Sequence, residues 1–128
     1  MLISANDMYQ STLFSGVPGL VHGYSTRSSG DARNAGNTRA IVRRLTGKDV
    51  SLVRGQQIHG NSIAVVDASS PRSISGVDGL VSRSADILLE VHVADCVPVL
   101  LVDPEARIVS VVHAGWKGTV SHITRNAL

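Results

Sequence analysis

The chain has 128 residues, of which 43% are apolar, 17% charged and 3% aromatic, with a formal net charge of +2 and one cysteine, Cys96. That length suits a single domain spanning 1–128, while scattered cations and scarce aromatic residues exclude a nucleic-acid binder. No apolar run is long enough to cross a bilayer, a lone cysteine excludes an internal disulfide, and nothing at the start resembles an export signal, so a cytoplasmic protein is expected.

Turn formers crowd the first forty residues, among them Gly16, Pro18, Gly19, Gly23, Gly30, Asp31, Asn34 and Gly36, and this stretch reads as loop-rich with little strand pattern. Within it, Gly23-Tyr24-Ser25-Thr26-Arg27 ends in a guanidinium whose planar fork suits phosphate or carboxylate, and equally an ordinary surface ion pair. Ala40, Ile41, Val42 and Leu45 then recur at near-helical spacing, which predicts a helix over 37–46 stopped by Gly47. Beyond it the β-branched runs predict strands over 50–53, 63–66, 80–81, 87–93, 97–102 and 108–112. Asp103-Pro104-Glu105-Ala106 makes the last two a hairpin or near neighbours. A helix capped by Thr119 is expected over 119–128. His22 is read as support for a neighbouring loop, His92 as a strand-face residue and His122 as a helix residue. The sum is an α+β domain.

Three short motifs lie at strand ends or just beyond them, where a sheet can hold reactive groups at fixed distances: Gln57-Ile58-His59-Gly60, Ala94-Asp95-Cys96-Val97-Pro98 and Val112-His113-Ala114-Gly115-Trp116-Lys117-Gly118. Their spacing matches no contiguous zinc finger. The ligand types say more, because one thiolate and two imidazoles make a three-ligand tetrahedral zinc site whose fourth position is open to water, the arrangement of catalytic sites. Such a metal lowers the pKa of bound water toward about 7. Copper suits the set less well, since a blue-copper centre also takes a weak axial ligand such as Met, and the methionines are Met1 and Met8. Taken alone, Cys96 reads more readily as a small buried apolar residue, and each histidine as an ordinary one. Lys117 sits in a glycine-flanked segment leading into a helix and could receive an anion.

Taken in order, His-Gly-Tyr-Ser-Thr-Arg, Gln-Ile-His-Gly, Val-Asp-Gly-Leu-Val, Ala-Asp-Cys-Val-Pro-Val-Leu-Leu-Val-Asp-Pro and His-Ala-Gly-Trp-Lys-Gly resemble the YfiH family, also called the laccase-domain or multicopper polyphenol oxidase family. The resemblance implies packed mixed sheets flanked by helices, an αββα-like sandwich similar to the cytotoxic necrotizing factor catalytic domain. It also implies a zinc ion held by His59, Cys96 and His113, with these three as the catalytic residues, and purine nucleosides and phosphate as substrates. Phosphorolysis of adenosine, inosine, guanosine and methylthioadenosine and deamination of adenosine are the activities implied. Arg27 matches the arginine of Ser-Thr-Arg and is expected to hold phosphate, with Lys117 in a supporting role. Lys117 replaces the family's usual arginine, which keeps the charge and loses bidentate geometry. Asp78 matches the aspartate before the Leu-Val strand.

Members of that family continue beyond the helix after Thr119. The chain is therefore expected to be a form truncated at its C-terminus, with self-association or another chain supplying the missing half. Competing readings are a metal-free Cys/His hydrolase with Cys96 as nucleophile, a peptidoglycan-editing factor, a copper-dependent polyphenol oxidase, and an inactive shortened relative with a structural zinc.

Overall fold

The computed structural model describes residues 1–5 and 7–128, so Asn6, within the stretch read as loop, lies outside the described residues. The chain divides into two units, Met1–Val50 and Ser51–Leu128. In the first, β1 (Leu2–Ala5), β2 (Met8–Ser11) and β3 (Tyr24–Ser25) pair antiparallel in the order β1-β2-β3. These strands run through a stretch expected to be loop-rich with little strand pattern. Leu-Ile-Ser-Ala and Met-Tyr-Gln-Ser show no clean alternation of apolar and polar residues, and backbone pairing makes these strands where side-chain pattern does not announce them. His22, expected to support a neighbouring loop, bonds the end of β2: its Nε2 accepts from the Ser11 amide at 2.9 Å, and its carbonyl accepts from Gln10 at 3.1 Å.

The first unit's helix, α1 (Ala35–Thr46), begins two residues before the predicted start because Asn34 caps it, its side chain accepting from the amides of Gly36 and Asn37. Gly47 ends it in the left-handed region, φ 73°, with its N–H on the Arg43 carbonyl.

The second unit holds two sheets. One runs β5 (Ile63–Val65), β7 (Gly79–Ser82), β10 (Ile108–Ala114), β9 (Val97–Asp103); the other runs β6 (Ser73–Ser75), β4 (Ser51–Gln56), β8 (Ile87–Glu90). β9 and β10 form the expected antiparallel pair, in register from Ile108 opposite Asp103 to Ala114 opposite Val97. β6 was not predicted, since Ser-Ile-Ser offers one apolar residue. β8 stops at Glu90, short of 93, so His92 lies beyond the strand. Its backbone is clamped by the Gln57 amide, which accepts from His92 N–H and donates to the His92 carbonyl, each at 2.8 Å.

Val53, Val66, Val77, Leu80 and Val111 fill the core, joined by Ile74, Ile87, Leu89 and Leu100, so residues of both sheets meet in one apolar layer. Replacing fully buried Leu80 by Ala would cost about 2–5 kcal/mol. β10 is buried on both faces. Alternation sends Val111 and His113 to one side and Val112 and Ala114 to the other, where Val112 and Ala114 pack with Ile123 beneath the C-terminal helices.

Those helices are α2 (Trp116–Val120) and α3 (Ile123–Asn126), and they correct the expected helix over 119–128. Gly115 is the N-cap of α2, and Thr119 lies inside it with its hydroxyl on the Gly115 carbonyl at 2.9 Å. His122 is not within a helix: at φ 60° it breaks the chain between α2 and α3. Two glycines in the α2 region hide the helix from a propensity reading. The architecture is α+β with packed sheets, as expected.

Candidate metal centre

Three strand ends of the second unit supply the site. His59 stands three residues past β4, Cys96 directly before β9, and His113 next to the last position of β10. One ligand atom from each lies within 4.8 Å of the others. Zinc bonds of about 2.0–2.3 Å would put tetrahedral ligand atoms about 3.3–3.8 Å apart, so the three side chains fit an ion after closing by about 1 Å. The imidazoles of His59 and His113 meet edge to face, with ring centroids 4.8 Å apart. His113 is buried, Cys96 half-buried and His59 exposed, so the centre opens on the His59 side. Among the described residues this is the one group of three or more His, Cys, Asp or Glu ligands gathered closely enough for a metal ion.

Asp78 organises two of the three ligands. Its carboxylate accepts from His113 Nδ1 at 2.8 Å and from three successive amides, Ile58 at 3.1 Å, His59 at 2.9 Å and Gly60 at 2.8 Å. Burial works against this charge, but the His113 imidazole and the amides of Gly60, Ile58 and His59 outweigh it and hold the carboxyl below its usual range. An ionised carboxylate only accepts, so the His113 proton sits on Nδ1 and the Nε2 lone pair is left for a metal. The same carboxylate wraps the Ile58–Gly60 turn, in which His59 adopts φ 60°, a left-handed conformation uncommon outside glycine. One buried aspartate thus fixes the tautomer of one ligand and the backbone of another.

Glycines let the opposite wall approach. A Cβ on Gly115 would stand 3.2 Å from His59 Cδ2, 3.3 Å from Cys96 Sγ and 3.7 Å from His113 Cε1, so any side chain there crowds His59 and Cys96 and touches His113. A Cβ on Gly118 would meet the Gly60 carbonyl at 2.6 Å, so α2 packs on the His59 turn because residue 118 has no side chain.

Sequence reasoning brings His59, Cys96 and His113 to one place, and the structure gathers them there. Arg27 lies in the first unit, exposed, at the start of a 3-10 turn capped by Thr26. Lys117 is exposed on α2, its Nζ 5.7 Å from the centroid of the Trp116 ring. The part played by Asp78 was missed. The signal available was a carboxylate in Val-Asp-Gly-Leu-Val, directly before an apolar strand, where burial demands partners.

The family model described as multi-copper polyphenol oxidoreductase laccase matches residues 23–128. The chain belongs to this family. Among curated relatives, adenosine deaminase RL5 of an unknown prokaryotic organism is 38% identical over 104 residues, which are 74% of this chain and 40% of that protein. A purine nucleoside phosphorylase of Deinococcus radiodurans is 41% identical over 96 residues, 74% of this chain and 37% of that protein. The chain therefore spans about two fifths of the length of these relatives. YlmD of Geobacillus stearothermophilus has a similar structure, with a TM-score of 0.74 and 28% identity over 97% of this chain and 55% of that one.

Proposed function

We propose that the chain is a zinc-dependent purine nucleoside enzyme, acting in phosphorolysis of adenosine, inosine, guanosine and methylthioadenosine and in deamination of adenosine. The observation that carries this reading is the His59, Cys96 and His113 cluster, open on the His59 side and backed by buried Asp78. The relatives' names, adenosine deaminase and purine nucleoside phosphorylase, supply the substrate class. One thiolate and two imidazoles favour zinc over copper, because a blue-copper site takes a further axial ligand.

Bound zinc would act as a Lewis acid and lower the pKa of water at the site. The chain's own groups do the rest. Asp78 keeps the His113 proton on Nδ1 and holds the His59 turn, so the two imidazoles need little reorganisation. In phosphorolysis, phosphate oxygen bonds to the anomeric carbon as the glycosidic C–N bond breaks and the base leaves. Arg27, and Lys117 beside it in role, would neutralise and orient that phosphate. In deamination, water replaces the amino group of adenosine and ammonia leaves. A reducing cytoplasm suits the reading, since it keeps Cys96 available as a thiolate ligand.

The test is to assay inosine phosphorolysis and adenosine deamination at known zinc occupancy, before and after chelation, and again in Arg27→Ala. Turnover should follow zinc content. Arg27→Ala should lose about tenfold or more in phosphorolysis, the scale of one charge-assisted hydrogen bond, while zinc content and deamination hold. Turnover independent of zinc contradicts the metal's role, and parallel loss of zinc and phosphorolysis contradicts the role of Arg27.

A further inference from the structure

The only tryptophan of the chain, Trp116, follows Gly115 at the metal centre and is left 73% exposed. Indole is a large apolar surface that folding normally covers, so an open tryptophan at a site is informative where a lone exposed leucine would not be. Its neighbour Gly115 is the residue that borders all three ligands, so the indole begins one residue from the wall of the site. Ile58, adjacent to His59 on the facing turn, is 64% exposed. Two open apolar side chains thus flank the ligands in sequence, on segments that touch where Gly118 meets the Gly60 carbonyl.

The base of the indole is firmly set. The Thr119 amide and hydroxyl both donate to the Gly115 carbonyl at 2.9 Å, closing the first turn of α2 around Trp116. Lys117 Nζ stands 5.7 Å from the ring centroid, on one face of the ring. A cation there is attracted by the ring's negative face, and the 73% exposure of the residue leaves indole surface for a flat partner. A rigid aromatic plane, an open face and a neighbouring aliphatic side chain are what a planar heteroaromatic ring needs for stacking.

We propose that Trp116 is the stacking platform for the base of the nucleoside, with Ile58 as its apolar neighbour. This inference rests on the purine nucleoside reading and adds the residue that recognises the base. The ribose and phosphate would be left to polar groups, so the platform would set affinity for the base without taking part in bond breaking. Trp116 is in this sense a binding residue, and its loss should appear in KM.

A single tryptophan makes the test direct. Adenosine and, separately, ribose are titrated into the 128-residue chain with zinc and after chelation, with indole fluorescence excited at the red edge of its absorption. Saturable quenching by adenosine and none by ribose is expected, in both metal states. Trp116→Leu, which keeps an apolar side chain and removes the π face, should raise KM for adenosine about tenfold or more, the scale of one stacked base, with zinc content and kcat close to the parent. Trp116→Phe should recover part of that loss. Absence of saturable quenching overturns the platform even where turnover is intact, and so does an unchanged KM in Trp116→Leu. Quenching with no turnover in any metal state would leave the platform standing and instead refute the reaction assigned to the site.

Discussion

Asp49 and Asp78 are both aspartates held below the usual carboxylate range, and their surroundings are opposite. Asp49, in the first unit, is exposed and paired with Arg43, whose Nε and Nη2 donate to its two oxygens at 2.9 and 2.6 Å. The Arg43 hydrogen bonds are the main cause of its lowered pKa. Asp78, in the second unit, is fully buried, and four donors from two parts of the chain, the Ile58–Gly60 turn and His113, offset the penalty of burial. The lesson is that similar directions of shift can carry very different structural weight. Water replaces the partners of Asp49 if they are lost, whereas nothing replaces those of Asp78.

Asp78→Ala breaks this contrast most severely. It strands buried His113 Nδ1 and leaves three part-buried amides without their acceptor, and urea unfolding should show a loss of about 3–5 kcal/mol, as for other broken buried pairs. A loss below about 1 kcal/mol, the size of one ordinary hydrogen bond, would mean the network is not what holds the turn. Asp78→Asn is milder, because an amide oxygen still accepts. It no longer imposes the His113 tautomer, so zinc affinity measured by competition with a chelator should fall about 10–100-fold, the usual cost of losing a carboxylate behind a metal-bound histidine. Unchanged affinity in a folded Asp78→Asn would contradict the orienting role.

Gly115→Ala sharpens the comparison from the other wall of the site. The new methyl group presses on His59 and Cys96 at 3.2 and 3.3 Å, and mild overpacking should cost about 1 kcal/mol of stability together with a clear drop in zinc affinity. Retention of full affinity would show that the ligands move aside freely. Arg43→Ala should have the smallest effect. Asp49 should titrate closer to its ordinary range by NMR, with the thermal midpoint nearly unchanged and the remaining difference erased by salt. In both aspartates the folded value lies below the unfolded one, so each contribution is present at neutral pH and is lost as pH falls through the lowered folded value. The acid limb of the stability curve should therefore change more in Asp78→Asn than in Arg43→Ala.

Much of the second unit was legible in the sequence because its strands carry long apolar runs. Val97-Pro98-Val99-Leu100-Leu101-Val102 and Ile108-Val109-Ser110-Val111-Val112 announce β9 and β10, and the turn residues between them announce their pairing. β1, β2 and β6 were not legible, because in strands of three or four residues periodicity has too few positions to register, and these three mix their apolar residues with serine or glutamine where β5 is wholly apolar. The start of α2 at Trp116 was hidden by glycines whose purpose is close approach to the site. The cluster of His59, Cys96 and His113, which could hold a metal ion, was legible through residue types and flanking motifs. The Asp78 network was not, since hydrogen bonds from Ile58, His59, Gly60 and His113 to one carboxylate depend on tertiary folding that residue spacing does not record.

The decisive measurement is the metal content of purified, metal-replete chain beside Cys96→Ser, because His59, Cys96 and His113 together would hold one ion. About one zinc per parent chain is predicted, with proton release on binding as the thiolate forms. Cys96→Ser, left with two imidazoles, should lose most of that zinc while keeping its fold by circular dichroism. Parent protein without stoichiometric zinc, or Cys96→Ser that binds zinc as tightly as the parent, would contradict the account.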